Sequence, residues 1–78
     1  MKQTDDQYYI EAVRKGNVQA FTFLVERYQG MVYTLALKLM KKAEEAEEIA
    51  QDTFIKAFQK IDSYEGKSKF STWLYSIT

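Results

Sequence analysis

The chain has 78 residues with 11 acidic and 11 basic side chains, no cysteine, no histidine and no proline. That length holds one domain with one modest core. The missing thiol and imidazole exclude disulfide stapling, cysteine chemistry, the usual general base and the commonest metal ligand, so neither an enzyme nor a cofactor is expected.

Zero formal net charge argues against a polycation seeking nucleic acid everywhere on its surface. The balance hides segregation, since Glu44 to Asp52 carries only acids and Lys67 to Thr78 only bases. A domain polarised in this way can offer two surfaces to two partners. No apolar run reaches the roughly 18 residues of a membrane span, and the opening MKQTDDQYY has no apolar signal core. A cytoplasmic protein is expected.

A first helix is expected from Thr4 or Asp5, either able to cap it, with Asp5 and Asp6 in a first turn that favours anions. Tyr9, Ala12 and Val13 give it an apolar stripe, and Lys15-Gly16 a stop. Asn17 then reads as the cap of a second helix carrying Val18, Phe21, Leu24, Val25 and Tyr28. After Gln29-Gly30 the pattern resumes with Val32, Leu35, Ala36, Leu39 and Met40. Glycine inside a helix costs about 1 kcal/mol relative to alanine, yet the period crosses Gly30 without a phase jump, so one long helix is expected. Tyr33 and Leu37 lie off the main stripe, as in a bundle's central member.

Lys41-Lys42-Ala43 holds no helix breaker and no capping side chain. Helix continuing from Asn17 to Ile61 would outrun a small domain's diameter, so the reversal is placed there. The next helix, Glu44 to Ile61, puts Ala46, Ile49, Ala50, Thr53, Phe54, Ala57, Phe58 and Ile61 on one half. Its polar half stacks Glu44, Glu48 and Asp52 at i, i+4 and i+8, with Ile55 at the centre of the same face. Like charges so placed cost roughly 0.2–0.5 kcal/mol per pair. Two readings are open: a solvated acidic face with one exposed isoleucine, or a face that docks on a basic, partly apolar partner.

Asp62 to Lys69 reads as loop, polar and without helical period. A last helix opens near Ser71 or Thr72, with Phe70 just ahead, and carries Trp73, Leu74 and Ile77. Its pattern reaches Thr78 with no cap, so the natural chain is expected to continue. Phosphate-cradling glycine loops are missing, and the acids of the third helix match no metal-binding loop. The expectation is an all-α domain over residues 1–78, a small bundle of three to four helices with the last one cut at 78.

Three stretches in register, Lys15 to Ala36, Ala46 to Ile61 and Gly66 to Ile77, together resemble region two of a bacterial RNA polymerase sigma factor, and more narrowly the extracytoplasmic-function (ECF) group. The resemblance implies a transcription initiation factor that docks on the clamp helices of the polymerase β′ subunit and recognises and melts the promoter minus-ten element. It assigns polymerase contact to Glu48, Gln51, Asp52, Ile55 and Phe58, which makes the outward face a surface for arginines on the partner. The loop would cradle a flipped base of the non-template single strand. Tyr64 and Phe70 are then candidate stacking faces, Ser63, Ser68 and Ser71 hydrogen-bond donors, and Lys67 and Lys69 phosphate partners. Phe70 and Trp73, three apart where the helix begins, also suit a core. An anti-sigma factor is a further implied partner. Lys42 and Ala43 stand where relatives often carry an acidic or capping residue, Ser76 where many carry arginine, and Trp73 has no second tryptophan beside it. The rival readings are a helical protein–protein adaptor without DNA binding and a stand-alone helix-turn-helix repressor.

Overall fold

The computed structural model describes residues 4–78, with side chains from Asp6 onward. It contains α1 (Thr4–Arg14), α2 (Ala20–Met40), α3 (Ala43–Lys60), a 3-10 turn (Ile61–Ser63) and α4 (Phe70–Ile77), with no strand among the described residues. This is the expected all-α bundle. Capping of α1 by the side chain of Thr4 or Asp5 lies outside the described residues. No helix is long and apolar enough to cross a membrane, among the described residues.

The chain turns between α1 and α2 as the glycine suggested. Gly16 has φ +104°, its N–H donates to the carbonyl of Val13, and that of Asn17 reaches back to Ala12. The Asn17 Oδ1 then accepts from the N–H of Ala20 at 3.3 Å, and the Asn17 carbonyl accepts from the same N–H at 3.1 Å. Asn17 therefore caps a tight lead-in turn, and the α-helix itself starts three residues later. From there α2 runs unbroken through Gly30. At 1.5 Å per residue its 21 residues span about 32 Å, most of the molecule's 36 Å long dimension. It touches α1, α3 and α4 and is the central member of the bundle.

Helix α2 ends at the expected reversal, but by an unfavourable route. Lys41 takes the left-handed conformation with φ +63°, which costs a side chain bearing a Cβ roughly 1–2 kcal/mol. Its N–H closes on the Leu37 carbonyl at 2.7 Å. Lys42 then stands extended at the α3 N-cap and offers no capping hydrogen bond. Docking of α3 along α2 compensates for both defects. We expect Lys42→Ser, which supplies the missing acceptor, to raise stability by about 1 kcal/mol. A urea midpoint that does not move would show that the extended N-cap cannot use it.

The core joins Ile10 and Val13 of α1 to Phe21, Leu24 and Val32 of α2, Phe54 and Ala57 of α3, and Phe70 and Leu74 of α4, with Ile61 and Tyr64 closing it. Thr53 is buried on α3 and spends its hydroxyl on the Ile49 carbonyl at 2.8 Å. Four residues of the expected apolar stripes depart from the core. Val18 and Leu39 are each 61% exposed, and Met40 and Phe58 are exposed at 38%. Val18 precedes the helix, and Leu39 and Met40 lie beyond the reach of α1, whose Asp6 meets α2 at Arg27 and Tyr28. A helical wheel treats every turn as equally covered; the ends of α2 are not.

Candidate functional site

Helix α3 divides as its periodicity required. Ala46, Thr53, Phe54 and Ala57 are buried against α2, whereas Glu44, Glu48, Gln51, Asp52 and Ile55 are exposed. Among the described residues no cation pairs with Glu48 or Asp52, so the acidic column is available to an outside partner. Ile55, 55% exposed, lies beyond Asp52 on the same side.

The structure adds what a single helix cannot show: Gln51, Ile55 and Phe58 also form one wall of a groove between two helices. One hollow of about 460 Å³ is lined by Gln29, Gly30 and Tyr33 of α2 and by Glu47, Ala50 and Gln51 of α3. The next, about 380 Å³, shares Gln29, Ala50 and Gln51 with it and adds Val25, Phe54 and Ile55. A third, about 440 Å³, adds Val18, Phe21, Thr22, Phe58 and Gln59. Among the described residues Glu47 is thus the one acid lining these hollows, at the end of a trough whose other end is apolar. Phe58 is half withdrawn into it, its ring edge-on to Phe21 at 5.3 Å between centroids. Val18, Phe21, Val25, Gln29 and Tyr33 were not expected to contribute. Their stripe was legible, but which edge of it α3 leaves uncovered depends on how the two helices cross.

The second candidate surface is the loop after the 3-10 turn together with the start of α4. Gly66, at φ +81°, turns the chain so that Lys67, Ser68 and Lys69 stand exposed. Lys67 Nζ lies 3.2 Å from Glu65 Oε1 with both side chains largely in solvent. A pair of that kind is worth little and yields readily to a phosphate. Ser71 is partly exposed in the first turn of α4.

Two expectations for this loop are corrected by burial. Tyr64 is 6% and Phe70 2% exposed, and their rings pack edge to face on each other at 5.7 Å and against Trp73 at 5.2 and 5.6 Å. Neither offers a free stacking face. Tyr64 and Phe70 belong to the main core cluster, so both rings are drawn inward by the apolar surface of the bundle. The Tyr64 hydroxyl donates to the Ser68 carbonyl and thereby shapes the loop. Ser63 is exposed, but its hydroxyl donates to the Lys60 carbonyl at 2.6 Å, leaving it only acceptor capacity.

Behind the loop, the Tyr28 ring lies 5.7 Å from Phe70, and its hydroxyl donates to the Asp6 carboxylate. Arg27 Nη1 contacts the other Asp6 oxygen at 2.7 Å. Asp6 is thus a tie from α1 to α2 as well as an acid in a helix's first turn. Burial, then the hydrogen bond to Asp6 and the field of that carboxylate, push the Tyr28 phenol up to about 12. Tyr64 is also raised, by burial first and then by Asp6. A folded state that holds these protons more tightly than the unfolded chain, where a phenol loses its own near 10, is stabilised below about pH 10 and loses that contribution as pH rises toward 12. Urea midpoints measured from pH 8 to 12 should fall in this window, and fall less steeply in Tyr28→Phe. Equal slopes would dissociate Tyr28 from the loss.

The sigma-70 region 2 family model matches residues 24–78. Among curated proteins the chain is 39% identical over 77 residues to the RNA polymerase sigma-H factor of Pseudomonas aeruginosa, covering 99% of this chain and 40% of that protein. It is 44% identical over 68 residues to the ECF RNA polymerase sigma factor SigW of Bacillus subtilis, covering 87% and 36%. The ECF RNA polymerase sigma-E factor of Escherichia coli K12 is 41% identical over 76 residues, covering 97% and 39%. The chain therefore spans about two fifths of the length of these relatives. With the expected helices in the expected order and a family match over all of α3 and α4, the chain belongs to the sigma-70 region 2 family, as a region-two domain of the ECF type.

Proposed function

We propose that this domain serves transcription initiation by binding the clamp helices of the RNA polymerase β′ subunit through α3 and recognising the minus-ten element through residues 62–71. The observation that carries the reading is the outward face of α3. Glu48, Gln51, Asp52 and Ile55 are all exposed beside a groove that turns apolar toward Phe58. An acidic column with an apolar neighbour suits a helical partner that presents arginines along an apolar seam. The names of the relatives, each a sigma factor, support the same partner.

In this reading Lys67 and Lys69 meet phosphates and Ser68 and Ser71 meet base or sugar edges of the displaced non-template strand. Tyr64 and Phe70 support that surface from beneath. Two lysines give only weak, salt-sensitive affinity on their own, so strand binding requires the polymerase to hold the domain in place. The domain lends specificity to an enzyme and catalyses nothing itself. It acts in the cytoplasm, and an anti-sigma factor that covers the α3 groove would silence it.

The test is anisotropy of a labelled single-stranded minus-ten oligonucleotide with core polymerase, with and without the chain. Tight binding is expected only when both are present. Lys67→Ala with Lys69→Ala should weaken it for every sequence alike and reduce the salt slope by about 0.7 per lysine. Oligonucleotide binding that is indifferent to the chain would leave a protein–protein adaptor as the better description.

A further inference from the structure

We infer that Arg14 is a positioning residue for the loop after the 3-10 turn, an inference that rests on the reading of residues 62–71 as the DNA-facing segment. Arg14 closes α1, some fifty positions before the residues it serves. Its Nη1 donates to Glu11 Oε2 at 2.8 Å. Its Nη2 donates to the Ile61 carbonyl at 3.3 Å and to that of Tyr64. These two carbonyls bracket the 3-10 turn, which the Tyr64 N–H closes on Ile61 at 3.2 Å. One planar group thus holds both ends of the turn while Glu11 fixes its orientation.

The Arg14 Nε is buried without a partner, a desolvation cost that the three acceptors on the other nitrogens offset. Beyond the turn, Tyr64 grips the Ser68 carbonyl and packs on Phe70. The exposed Lys67, Ser68 and Lys69 are therefore carried on a segment whose first anchor is supplied by α1. A lysine could place a charge there but not a rigid fork.

Hydrogen–deuterium exchange of the 78-residue chain, with strand binding on core polymerase, tests this. Arg14→Ala should speed exchange over residues 62–69 about tenfold and leave α3 amides and polymerase affinity unchanged. Minus-ten strand binding should weaken about 3- to 10-fold, with Arg14→Lys intermediate in both readouts. If Arg14→Ala does not fold, Glu11→Gln removes the orienting carboxylate, which also accepts from Gln7 within α1, and should speed exchange in the same segment to a smaller degree. Exchange that is unchanged there, or faster across all helices alike, would overturn the inference. Faster local exchange with undiminished strand binding would uphold the role of Arg14 and remove the loop from the DNA interface.

Discussion

Asp52→Lys is expected to weaken binding to core RNA polymerase about a hundredfold, equivalent to roughly 2.7 kcal/mol, without unfolding the domain. Asp52 is exposed on α3, one turn from Glu48 and one turn from Lys56. The substitution replaces an unfavourable i, i+4 pair with a favourable one on the Glu48 side and does the reverse on the Lys56 side. Each change is worth about 0.2–0.5 kcal/mol, so the two cancel and the melting temperature should stay where it was. At the interface nothing cancels. In the proposed complex an arginine that met a carboxylate would instead meet a cation across a partly desolvated interface, where like-charge juxtaposition costs several kcal/mol. Gln51→Ala, beside it on the groove wall, should cost about tenfold, since it removes hydrogen bonds and inverts no charge. A pull-down on isolated clamp helices that recovers wild type and both variants equally would remove α3 from the interface.

The largest effect on folding is expected from Leu24→Ala. Leu24 is fully buried in the middle of the cluster that joins all four helices. Truncating a leucine there removes about 2–5 kcal/mol, depending on how far the cavity collapses. A domain of this length has roughly 4–12 kcal/mol in total, so much of the chain would populate the unfolded state near body temperature. Leu39→Ala is the informative comparison. Leu39 belongs to the same apolar series in the sequence but is 61% exposed, and its truncation should stay within about 0.5 kcal/mol. Denaturant curves with similar losses for both leucines would mean that α2 is covered along its whole length.

The contrast between those two leucines also marks what a one-dimensional pattern can tell. Periodicity separates the faces of a helix because side chains three and four apart share a side. It therefore identified α3's buried half and the exposure of Glu48, Gln51, Asp52 and Ile55. It carries no information about where along its length a helix is covered, so Val18, Leu39, Met40 and Phe58 read as core. Likewise, Tyr64 reads as a stacking face, and Phe70 as either a stacking face or core, until the chain is folded. Tyr64 and Phe70 then turn inward, packing on each other, on Trp73 and on the core that Tyr28 borders.

The helix count, the turn at Lys41-Lys42, the continuity of α2 through Gly30 and the acidic outward face were determined by the sequence alone, through local propensity, spacing and charge order. Only the tertiary structure decided that one edge of α3 lines a two-helix groove, that Asp6 ties α1 to Tyr28, and that Arg14 reaches across to the carbonyls of Ile61 and Tyr64. Each of those depends on side chains far apart in the chain. Their meeting is set by the angles at which helices pack, and nothing in a run of neighbouring residues records an angle.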